Sequence, residues 1–480
     1  MTKFTYCNKK RVGFLVSDHF DLIREHFSYE NTGAVFARKR GAWYAKSRKY
    51  VITPGGKFDV GLTFEIAKFV RKELPGEEIT YDDSILSQLK PQISNTDLEL
   101  SLPLRDYQKE IVDTCFKFGR GTVVLATAGG KTLVMANLLE RLYKATKDKP
   151  TWKVLLMVPD LGLVNQTYND FKKYGCSFQY GKWTGNSPVN LGDNVIIANL
   201  GILQSGCSDI EWIKYIDVLI VDEVHKVRCK NKVNKILKTI ETPIKFGFTG
   251  TLPDTNEDIW NIYGKIGPKI YEKGSYELRQ ENYVSNLLIH VLKLEYRQKP
   301  FYPDEINDPG ERYRLEFDFL FTNTFRNNIL KKITTEVNNN VLLLVDYIRH
   351  GEELYNVLKD NDQGKQVFFI QGDVDVEERE NVKQLIETND NIICIAISKI
   401  FSTGISINNL HYIIFGSGGK AKIKILQSIG RGLRLHKNKE KLVIFDIADQ
   451  LRYGKSHADG RAKLYEKEKI PVKYSTITQK

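Results

Sequence analysis

Cysteine is scarce in this 480-residue sequence, and its six copies are scattered without any C-x-x-C pair. Zinc sites and disulfide frameworks need closely spaced cysteines, so this distribution argues against both. Reduced thiols inside a cell are the expectation. The six positions are Cys7, Cys115, Cys176, Cys207, Cys229 and Cys394.

Long apolar runs are also missing. None approaches the roughly 20 residues that a membrane-spanning helix requires. The first ten residues are polar and lack the apolar centre of a secretory signal. The sequence therefore predicts no membrane partner and a cytoplasmic location, which would be the host cytoplasm if the source is viral.

Positive charge is in excess, with 71 Lys and Arg against 59 Asp and Glu and a formal net charge of +12. This balance predicts a polyanionic partner, although charge alone does not distinguish DNA, RNA and a membrane surface. A chain of this length is too long to fold around a single hydrophobic core. Its 41% hydrophobic content is enough for two or three ordinary globular domains.

The first chemical signal is a short apolar run at residues 123–126, a loop of small residues and an apolar-periodic stretch at residues 133–143. This pattern predicts a strand, a loop and a helix, which together aim backbone N–H groups and the positive helix end at one point. Such a point suits a polyphosphate. The residues predicted to bind ATP here are Thr127, Ala128, Gly129, Gly130, Lys131 and Thr132.

Within this loop Lys131 is expected to reach the outer phosphates and Thr132 to hold Mg²⁺. The first glycine of the general pattern G-x-x-x-x-G-K-[ST] would fall at Leu125, so an ordinary turn is the alternative. The strand before the loop and the helix after it favour the phosphate-binding interpretation.

Two acidic residues follow a second apolar strand at residues 218–221. Ligands gather at the carboxyl ends of parallel strands, which is where Asp222 and Glu223 fall. We expect Asp222 to hold Mg²⁺ and Glu223 to orient and deprotonate the attacking water. A solvated turn is the alternative.

Three further residues are candidates for coupling the ATP site to a nucleic acid. His225 would make a hydrogen bond across the cleft, and Thr249 and Thr251, at the end of another strand, would hydrogen-bond the acidic pair. A structural histidine and a hydroxyl-rich turn are the alternatives.

A helix is predicted to begin near Arg105 and Gln108 and to end near Phe118. It is the last predicted helix before the phosphate loop. A glutamine side chain offers both a donor and an acceptor, so it can read the adenine edge. Both residues are therefore predicted ATP contacts, whereas a plain surface helix would explain them equally well in isolation.

Residues 1–96 are predicted to form a small basic α+β module. Strands are expected at residues 34–37 and 43–52, helices at residues 20–26 and 62–74, and a linker at residues 75–96. Basic and aromatic residues interleave in this module, as suits a surface for phosphates and stacked bases; a solvated hairpin is the alternative. The predicted DNA contacts are Arg38, Lys39, Arg40, Trp43, Lys46 and Arg48.

The second half repeats the alternation of apolar strands and helices, with helices expected at residues 316–337 and 423–433 and a loop at residues 297–311. Thr403 and Gly404 follow a strand and are predicted to contact a DNA phosphate. Gln427, Arg431 and Arg434 form the stronger signal, because the two arginines lie three residues apart on a predicted helix. They are expected to reach the γ-phosphate as catalytic residues, and a solvated basic helix is the alternative.

The ordered set resembles the superfamily-two helicases of the D-E-x-H type. It comprises Tyr107-Gln108, residues 126–132, Asp222-Glu223-Val224-His225, Thr249-Gly250-Thr251, residues 401–405 and residues 427–434. More narrowly, the chain is similar to the phage UvsW-type branch-migration helicases. Ala128 departs from the usual glycine and Thr249-Gly250-Thr251 from the usual Ser-Ala-Thr, which puts tuning rather than activity in doubt.

The resemblance implies two tandem RecA-like parallel-sheet domains of the α/β class, at residues 97–275 and 276–480, after the N-terminal module. It implies an ATP- and Mg²⁺-dependent DNA helicase that unwinds or branch-migrates junctions, forks and R-loops in recombination, repair and replication. A duplex translocase without strand separation, an RNA helicase and a clamp that uses ATP only as a switch are the alternatives. The expected partner is branched or forked DNA, and a monomer is expected.

Overall fold

The structure is a computed structural model of the 480-residue chain. It describes all residues except 32, 35–37, 39, 42, 44–46, 97, 99, 147–149, 206–209, 230, 299, 301–307, 372–375, 399–406, 418–428, 431, 434 and 437–438. Residue contacts divide the chain into two compact units: unit 1 contains residues 1–125 and 130–273, and unit 2 contains residues 126–129 and 274–480.

Unit 1 begins with a four-stranded sheet in the order β5-β2-β1-β6, in which β1 runs antiparallel to β2 and parallel to β6. A two-stranded hairpin, β3–β4, lies beside it. The elements of this N-terminal module are β1 (Thr2–Cys7), β2 (Val12–Ser17), α1 (Phe20–His26), β3 (Ser28–Glu30), β4 (Arg48–Tyr50), β5 (Lys57–Phe58), α2 (Thr63–Glu73), β6 (Ile79–Tyr81) and α3 (Asp83–Leu89).

Two sequence predictions for this module are wrong. The strands expected at residues 34–37 and 43–52 are contradicted at Ala34, which is helical, and at Trp43, which lies in a turn; among the described residues of the two ranges, Arg48–Tyr50 form a strand, β4. The Trp43 N–H donates to the carbonyl of Gly41, whose φ of 91° is left-handed, so the chain turns where the second strand is expected to begin.

The predicted linker at residues 75–96 is also wrong, because it contains β6 and α3. Asp82 begins α3 as its N-cap and accepts a hydrogen bond from the Ser84 N–H. Ile85 and Leu89 lie four residues apart and are buried. The segment therefore completes the module's core.

The rest of unit 1 is a seven-stranded sheet, all of whose neighbouring strands run parallel, in the order β13-β7-β12-β11-β8-β10-β9. Its central strands are continuous apolar runs because helices cover both faces. The elements are α4 (Asp106–Phe118), β7 (Arg120–Leu125), α5 (Lys131–Ala145), β8 (Val154–Val158), α6 (Leu161–Tyr174), β9 (Tyr180–Trp183), β10 (Val195–Asn199), α7 (Leu200–Ser205), β11 (Val218–Asp222), α8 (Val233–Thr239), β12 (Lys245–Thr249), α9 (Asn256–Lys265) and β13 (Lys269–Lys273).

The N-terminal module and the parallel sheet of unit 1 share one hydrophobic core. Phe4 and Ile66 of the module belong to the same buried cluster as Leu155 and Leu219 of the sheet. The backbones also approach closely, because a Cβ added at Gly61 would lie 2.0 Å from the carbonyl oxygen of Tyr263. The module is therefore packed onto the sheet rather than tethered to it.

Unit 2 contains a second all-parallel, seven-stranded sheet in the order β16-β17-β15-β18-β19-β14-β20. Its elements are α10 (Ser275–Gln280), β14 (Asn286–Glu295), α11 (Pro309–Thr322), α12 (Thr324–Glu336), β15 (Val341–Val345), α13 (Ile348–Leu358), β16 (Gln366–Ile370), α14 (Val376–Thr388), β17 (Ile392–Ile397), β18 (Tyr412–Phe415), β19 (Lys441–Asp449), α15 (Arg452–Lys467) and β20 (Val472–Thr478). The two parallel-sheet units and the small N-terminal module confirm the predicted fold class.

One predicted helix of unit 2 is divided in the structure. The helix expected at residues 316–337 is α11 followed by α12, because Asn323 takes an extended conformation and its side chain accepts from the Arg326 N–H. The loop expected at residues 297–311 ends earlier than predicted, since α11 begins at Pro309. Most of the helix expected at residues 423–433 lies outside the described residues.

Within the described ranges, every helix is too short or too polar to span a bilayer.

Candidate ATP and DNA sites

The start of α5 has the geometry of an anion site. Gly130 is its N-cap with a φ of 80°, and no side chain caps the helix. A Cβ added at Gly130 would lie 2.4 Å from Gln108 Nε2, so both backbone conformation and space require glycine. The uncapped N–H groups of this first turn, together with the positive helix end, suit a phosphate group.

Ala128 also adopts the left-handed region, with a φ of 69°. This is the position where the sequence departs from the usual glycine. A left-handed alanine costs roughly 1–2 kcal/mol. Alanine at position 128 therefore strains the backbone of the phosphate loop.

Gln108 connects the start of α4 to the phosphate loop. Its side chain is buried, its Oε1 accepts from the Arg105 N–H at 2.9 Å, and its Nε2 faces Gly130. The acceptor oxygen of this side chain, one of the two groups predicted to read the adenine edge, is thus already hydrogen-bonded at the start of the helix. The Arg105 guanidinium lies 3.4 Å from the Tyr107 hydroxyl.

The acidic pair lies at the carboxyl end of β11, which is paired with β12, which in turn is paired with β7. The strand ends that carry Asp222, Thr249 and the phosphate loop therefore share one edge of the sheet. Lys131 Nζ lies 3.4 Å from Glu223 Oε1, and both side chains are largely buried. Glu223 has a φ of 47°, an uncommon conformation for this residue type.

Two buried carboxyl groups side by side cannot both ionise easily. Burial, and then the negative charge of Glu223, raise the pKa of Asp222. Burial opposes the ionisation of Glu223 as well, but the charge of Lys131 and the hydrogen bond from His225 outweigh it and lower the pKa of Glu223. Glu223 is therefore the ionised member of the pair in the absence of a ligand.

His225 joins the acidic pair to Thr249. His225 Nδ1 lies 2.8 Å from Thr249 Oγ1 and 3.2 Å from Glu223 Oε2. The Thr249 hydroxyl donates to the carbonyl oxygen of Thr251 at 2.8 Å, which uses its one proton. Nδ1 must then carry the hydrogen and donate it to Thr249 Oγ1, while Glu223 Oε2 lies within ion-pair distance of the same ring nitrogen.

The residues that could hold Mg²⁺ are hard oxygen donors, as this ion prefers. Asp222 Oδ1 accepts from the Glu223 N–H at 2.9 Å, which orients the carboxylate at the strand end. Among the described residues there is no cluster of three or more His, Cys, Asp or Glu side chains placed to bind a metal. A site of one carboxylate and one hydroxyl completed by phosphate oxygens fits this arrangement.

The predicted DNA-binding segment is exposed where it is described. Arg38 and Arg40 are exposed, and Trp43 retains 83% of its accessible surface. Arg48 lies on β4 with its guanidinium 3.0 Å from a carboxylate oxygen of Glu25, so its charge is partly compensated. Lys39 and Lys46 lie outside the described residues.

The predicted site residues of the second half are outside the described part of the chain. They are Thr403, Gly404, Gln427, Arg431 and Arg434. Their roles stay predictions.

Sequence reasoning missed the contacts that link the N-terminal hairpin to the residues following the acidic pair. The Tyr29 hydroxyl lies 3.5 Å from Cys229 Sγ, a contact across 200 positions of sequence. It also missed Asp160, whose charge contributes to the raised pKa of Asp222. The signal for Asp160 was present, because it lies two positions after the end of the strand at residues 154–158.

Two protein families match separate parts of the chain. The family described as type III restriction enzyme, res subunit, matches residues 101–254, and the helicase conserved C-terminal domain matches residues 325–436. The first covers the phosphate loop, the acidic pair and Thr249–Thr251, and the second covers residues 427–434.

Among curated proteins, the chain is 27% identical over 464 residues to the ATP-dependent DNA helicase uvsW of Enterobacteria phage T4, covering 90% of this chain and 87% of that protein. It is 24% identical to the DNA 3'-5' translocase XPB2 of Sulfurisphaera tokodaii, covering 78% and 87%.

Among solved structures, the ATP-dependent type ISP restriction-modification enzyme LlaBIII bound to DNA aligns with a TM-score of 0.57 at 14% identity, covering 86% of this chain and 34% of that one. This last likeness concerns the fold alone.

Proposed function

We propose that this chain, which is a superfamily-two ATP-dependent helicase and hence a hydrolase, unwinds or branch-migrates branched DNA such as four-way junctions, forks and R-loops. The observation that carries the proposal is the shared core of unit 1, which joins the N-terminal module to the sheet that carries the Lys131–Glu223 pair. The described residues of the module's basic segment (residues 38–50) include the exposed Arg38, Arg40 and Trp43. The similarity, along nine-tenths of the chain, to a protein named as an ATP-dependent DNA helicase supports DNA as the substrate.

ATP binding is assigned to the loop at residues 127–130 and the first turn of α5. Backbone N–H groups there would receive the phosphates, and Lys131 would leave Glu223 to contact the outer phosphates. Thr132 and Asp222 would hold Mg²⁺, which neutralises phosphate charge when it is bound. Arg105 and Gln108 would border the base.

Hydrolysis is assigned to Glu223. In the absence of a ligand its pKa is lowered, mainly by Lys131 against the opposing effect of burial, so it is a weak base. Once Lys131 turns to the phosphates, Glu223 loses its nearest cation and becomes a stronger base for the attacking water. Substrate binding thus prepares the base, and His225, Thr249 and Thr251 would report the change to the DNA-binding surface.

The remaining assignments come from the sequence. Gln427, Arg431 and Arg434 are proposed to stabilise the charge that develops on the γ-phosphate, and Thr403 and Gly404 to contact a DNA phosphate. Arg38, Lys39, Arg40, Trp43, Lys46 and Arg48 would hold the duplex near a branch. The division into residues 1–96, 97–275 and 276–480 belongs to the same proposal.

The proposal is tested with matched DNA substrates of equal length: a four-way junction, a fork, a linear duplex, an R-loop and an RNA–DNA hybrid. ATP hydrolysis and strand products are followed for the wild-type protein and for Lys131→Ala. The expected result is ATP-dependent product from the branched substrates, little from the linear duplex and none from Lys131→Ala. Equal or greater product from the linear duplex would overturn the substrate assignment.

A second candidate is favoured by the similarity to XPB2, whose name describes a translocase. In that case the protein would move along duplex DNA without separating strands. Displacement of a third strand from a linear triplex, without any single-stranded product from the fork, would identify it.

A further inference from the structure

The hairpin that carries the end of the basic segment contacts the loop that follows the acidic pair. β3 pairs with β4 in the register Ser28–Tyr50, Tyr29–Lys49 and Glu30–Arg48. The Tyr29 hydroxyl reaches Cys229 Sγ at 3.5 Å. Cys229 lies four positions after His225. A single side-chain contact therefore connects the hairpin to the loop that follows the acidic pair.

That loop is fastened to its surroundings by hydrogen bonds to its backbone. The Cys229 N–H donates to Asp258 Oδ1 at 3.0 Å. The Asn261 side chain donates to the carbonyl of Val227 at 3.0 Å, and the Asn234 side chain donates to the carbonyl of Arg228 at 2.8 Å. These hydrogen bonds hold the loop backbone in place, so a displacement of Cys229 would be transmitted to the residues bonded to it.

The module side of the contact is equally well held. Phe27, directly before β3, packs on Trp260 of α9 with ring centroids 5.1 Å apart, and His26 stacks on Phe69 at 3.9 Å. The hydroxyl of Tyr50, on the partner strand, donates to Glu25 Oε2 at 3.0 Å and stays within the module. The hairpin therefore has two tyrosine hydroxyls with different partners. The Tyr29 hydroxyl contacts Cys229 in the loop after the acidic pair, and the Tyr50 hydroxyl contacts Glu25 within the N-terminal module.

We propose that Tyr29 and Cys229 are positioning residues, and that their contact couples DNA bound on the basic segment to the Glu223–His225 geometry, so that DNA stimulates ATP hydrolysis through it. The inference rests on the proposed function, since it requires DNA on that segment. Tyr29 and Cys229 do not touch the nucleotide; they act through the loop.

The contact is electrically neutral. Burial raises the pKa of the Tyr29 hydroxyl, and burial raises the pKa of the Cys229 thiol. Both groups therefore stay protonated at neutral pH, and the neighbouring charges of Glu257 and Asp258 raise both pKa values further.

The test compares Tyr29→Phe with its matched control, Tyr50→Phe, in the full chain. Each change removes one hydroxyl from the same hairpin, but only the first reaches the catalytic loop. ATP hydrolysis is measured without and with a four-way junction, DNA affinity by fluorescence anisotropy and stability by the melting temperature.

For Tyr29→Phe we expect basal hydrolysis and DNA affinity within about twofold of wild type, and DNA stimulation reduced about fivefold or more. For Tyr50→Phe all quantities should match wild type. Cys229→Ala should reproduce the loss, and Cys229→Ser, which restores a hydroxyl partner, should recover part of the stimulation. A merely structural contact would instead lower the melting temperature and leave the stimulation ratio unchanged.

Unchanged stimulation in both Tyr29→Phe and Cys229→Ala would overturn this inference and leave the proposed function standing. A wild-type protein that DNA does not stimulate, or whose affinity is indifferent to the basic segment, would overturn both.

Discussion

Lys131 and Glu223 show how a few residues prepare a site before any ligand arrives. The lysine neutralises the glutamate across 3.4 Å, and Asp222 beside it has a raised pKa. The left-handed backbone of Glu223 turns its side chain away from the strand direction at a cost of roughly 1–3 kcal/mol. Strain at this position agrees with a functional role, because folding alone gives no reason to keep it.

Lys131→Ala should reduce ATP hydrolysis by ~10²-fold or more, since the outer phosphates lose their cation. DNA affinity should stay within about twofold, because the predicted DNA contacts lie elsewhere. Hydrolysis is measured as phosphate release and DNA binding by anisotropy. Normal turnover would remove the loop from the ATP site, and Lys144→Ala, later on the same helix, is the control.

Lys245 gives a prediction about pH. It is buried as the first residue of β12, donates to the carbonyl of Ile240 at 3.0 Å and lies opposite Arg120 of β7. Burial, and then the charges of Arg120 and Arg11, lower the pKa of Lys245 to about 7. Below that pH both folded and unfolded chains carry the proton, and the folded state bears the full cost of a buried charge.

Lys245→Met should therefore be more stable than wild type at pH 6.5, and the difference should narrow as pH rises. Between pH 7 and 10 the unfolded wild-type chain binds about one more proton than the folded one, so its stability gains about 1.4 kcal/mol per pH unit. Melting temperatures from pH 6.5 to 9 measure this. A difference that widens with pH would contradict the assignment.

Site residues that lie within a few positions of one another could be predicted from the sequence. Contacts between residues that are far apart in the sequence could not. Asp222 and Glu223 follow an apolar strand directly, so their place at the sheet edge could be inferred. The packing of Gln108 on Gly130 and of Tyr29 on Cys229 depends on which elements become neighbours. No local pattern contains that information.

At the scale of elements, continuous apolar strands and the helix after the phosphate loop were predicted well because their patterns are long and regular. The N-terminal module was predicted poorly, since its strands are short and the chain turns at Gly41 within a segment whose aromatic residues favour a strand. β14 and β20 of the second sheet were missed, because charged and polar residues interrupt both runs.

The basic segment predicts the salt dependence of DNA binding. Arg38→Ala with Arg40→Ala should weaken binding to all DNA sequences alike and reduce the slope of log affinity against log salt by about one for each lost phosphate contact. Lys172→Ala with Lys173→Ala, two exposed cations at the end of α6, is the control of equal charge. If the two double variants behave identically, the segment is scaffold and not a DNA surface.

At the scale of the whole molecule, two all-parallel sheets follow a module that shares the first sheet's core. The alternation of strands and helices predicted this architecture, because parallel strands need crossover helices. The strand order could not be predicted, since crossovers of similar length permit several orders. Lys131, the acidic pair at Asp222 and Glu223, and the N-terminal module lie in one compact unit, as the proposed coupling of DNA binding to ATP hydrolysis requires.

The central claim is that ATP bound at Lys131 and Thr132 is hydrolysed with Glu223 as the base. Its most direct test is Glu223→Gln, which keeps the size of the side chain and removes its basicity. Binding of a fluorescent ATP analogue and single-turnover hydrolysis are measured on the same preparation. The account predicts ATP affinity within about threefold of wild type and a hydrolysis rate lower by roughly 10²–10⁴-fold; hydrolysis at the wild-type rate would contradict it.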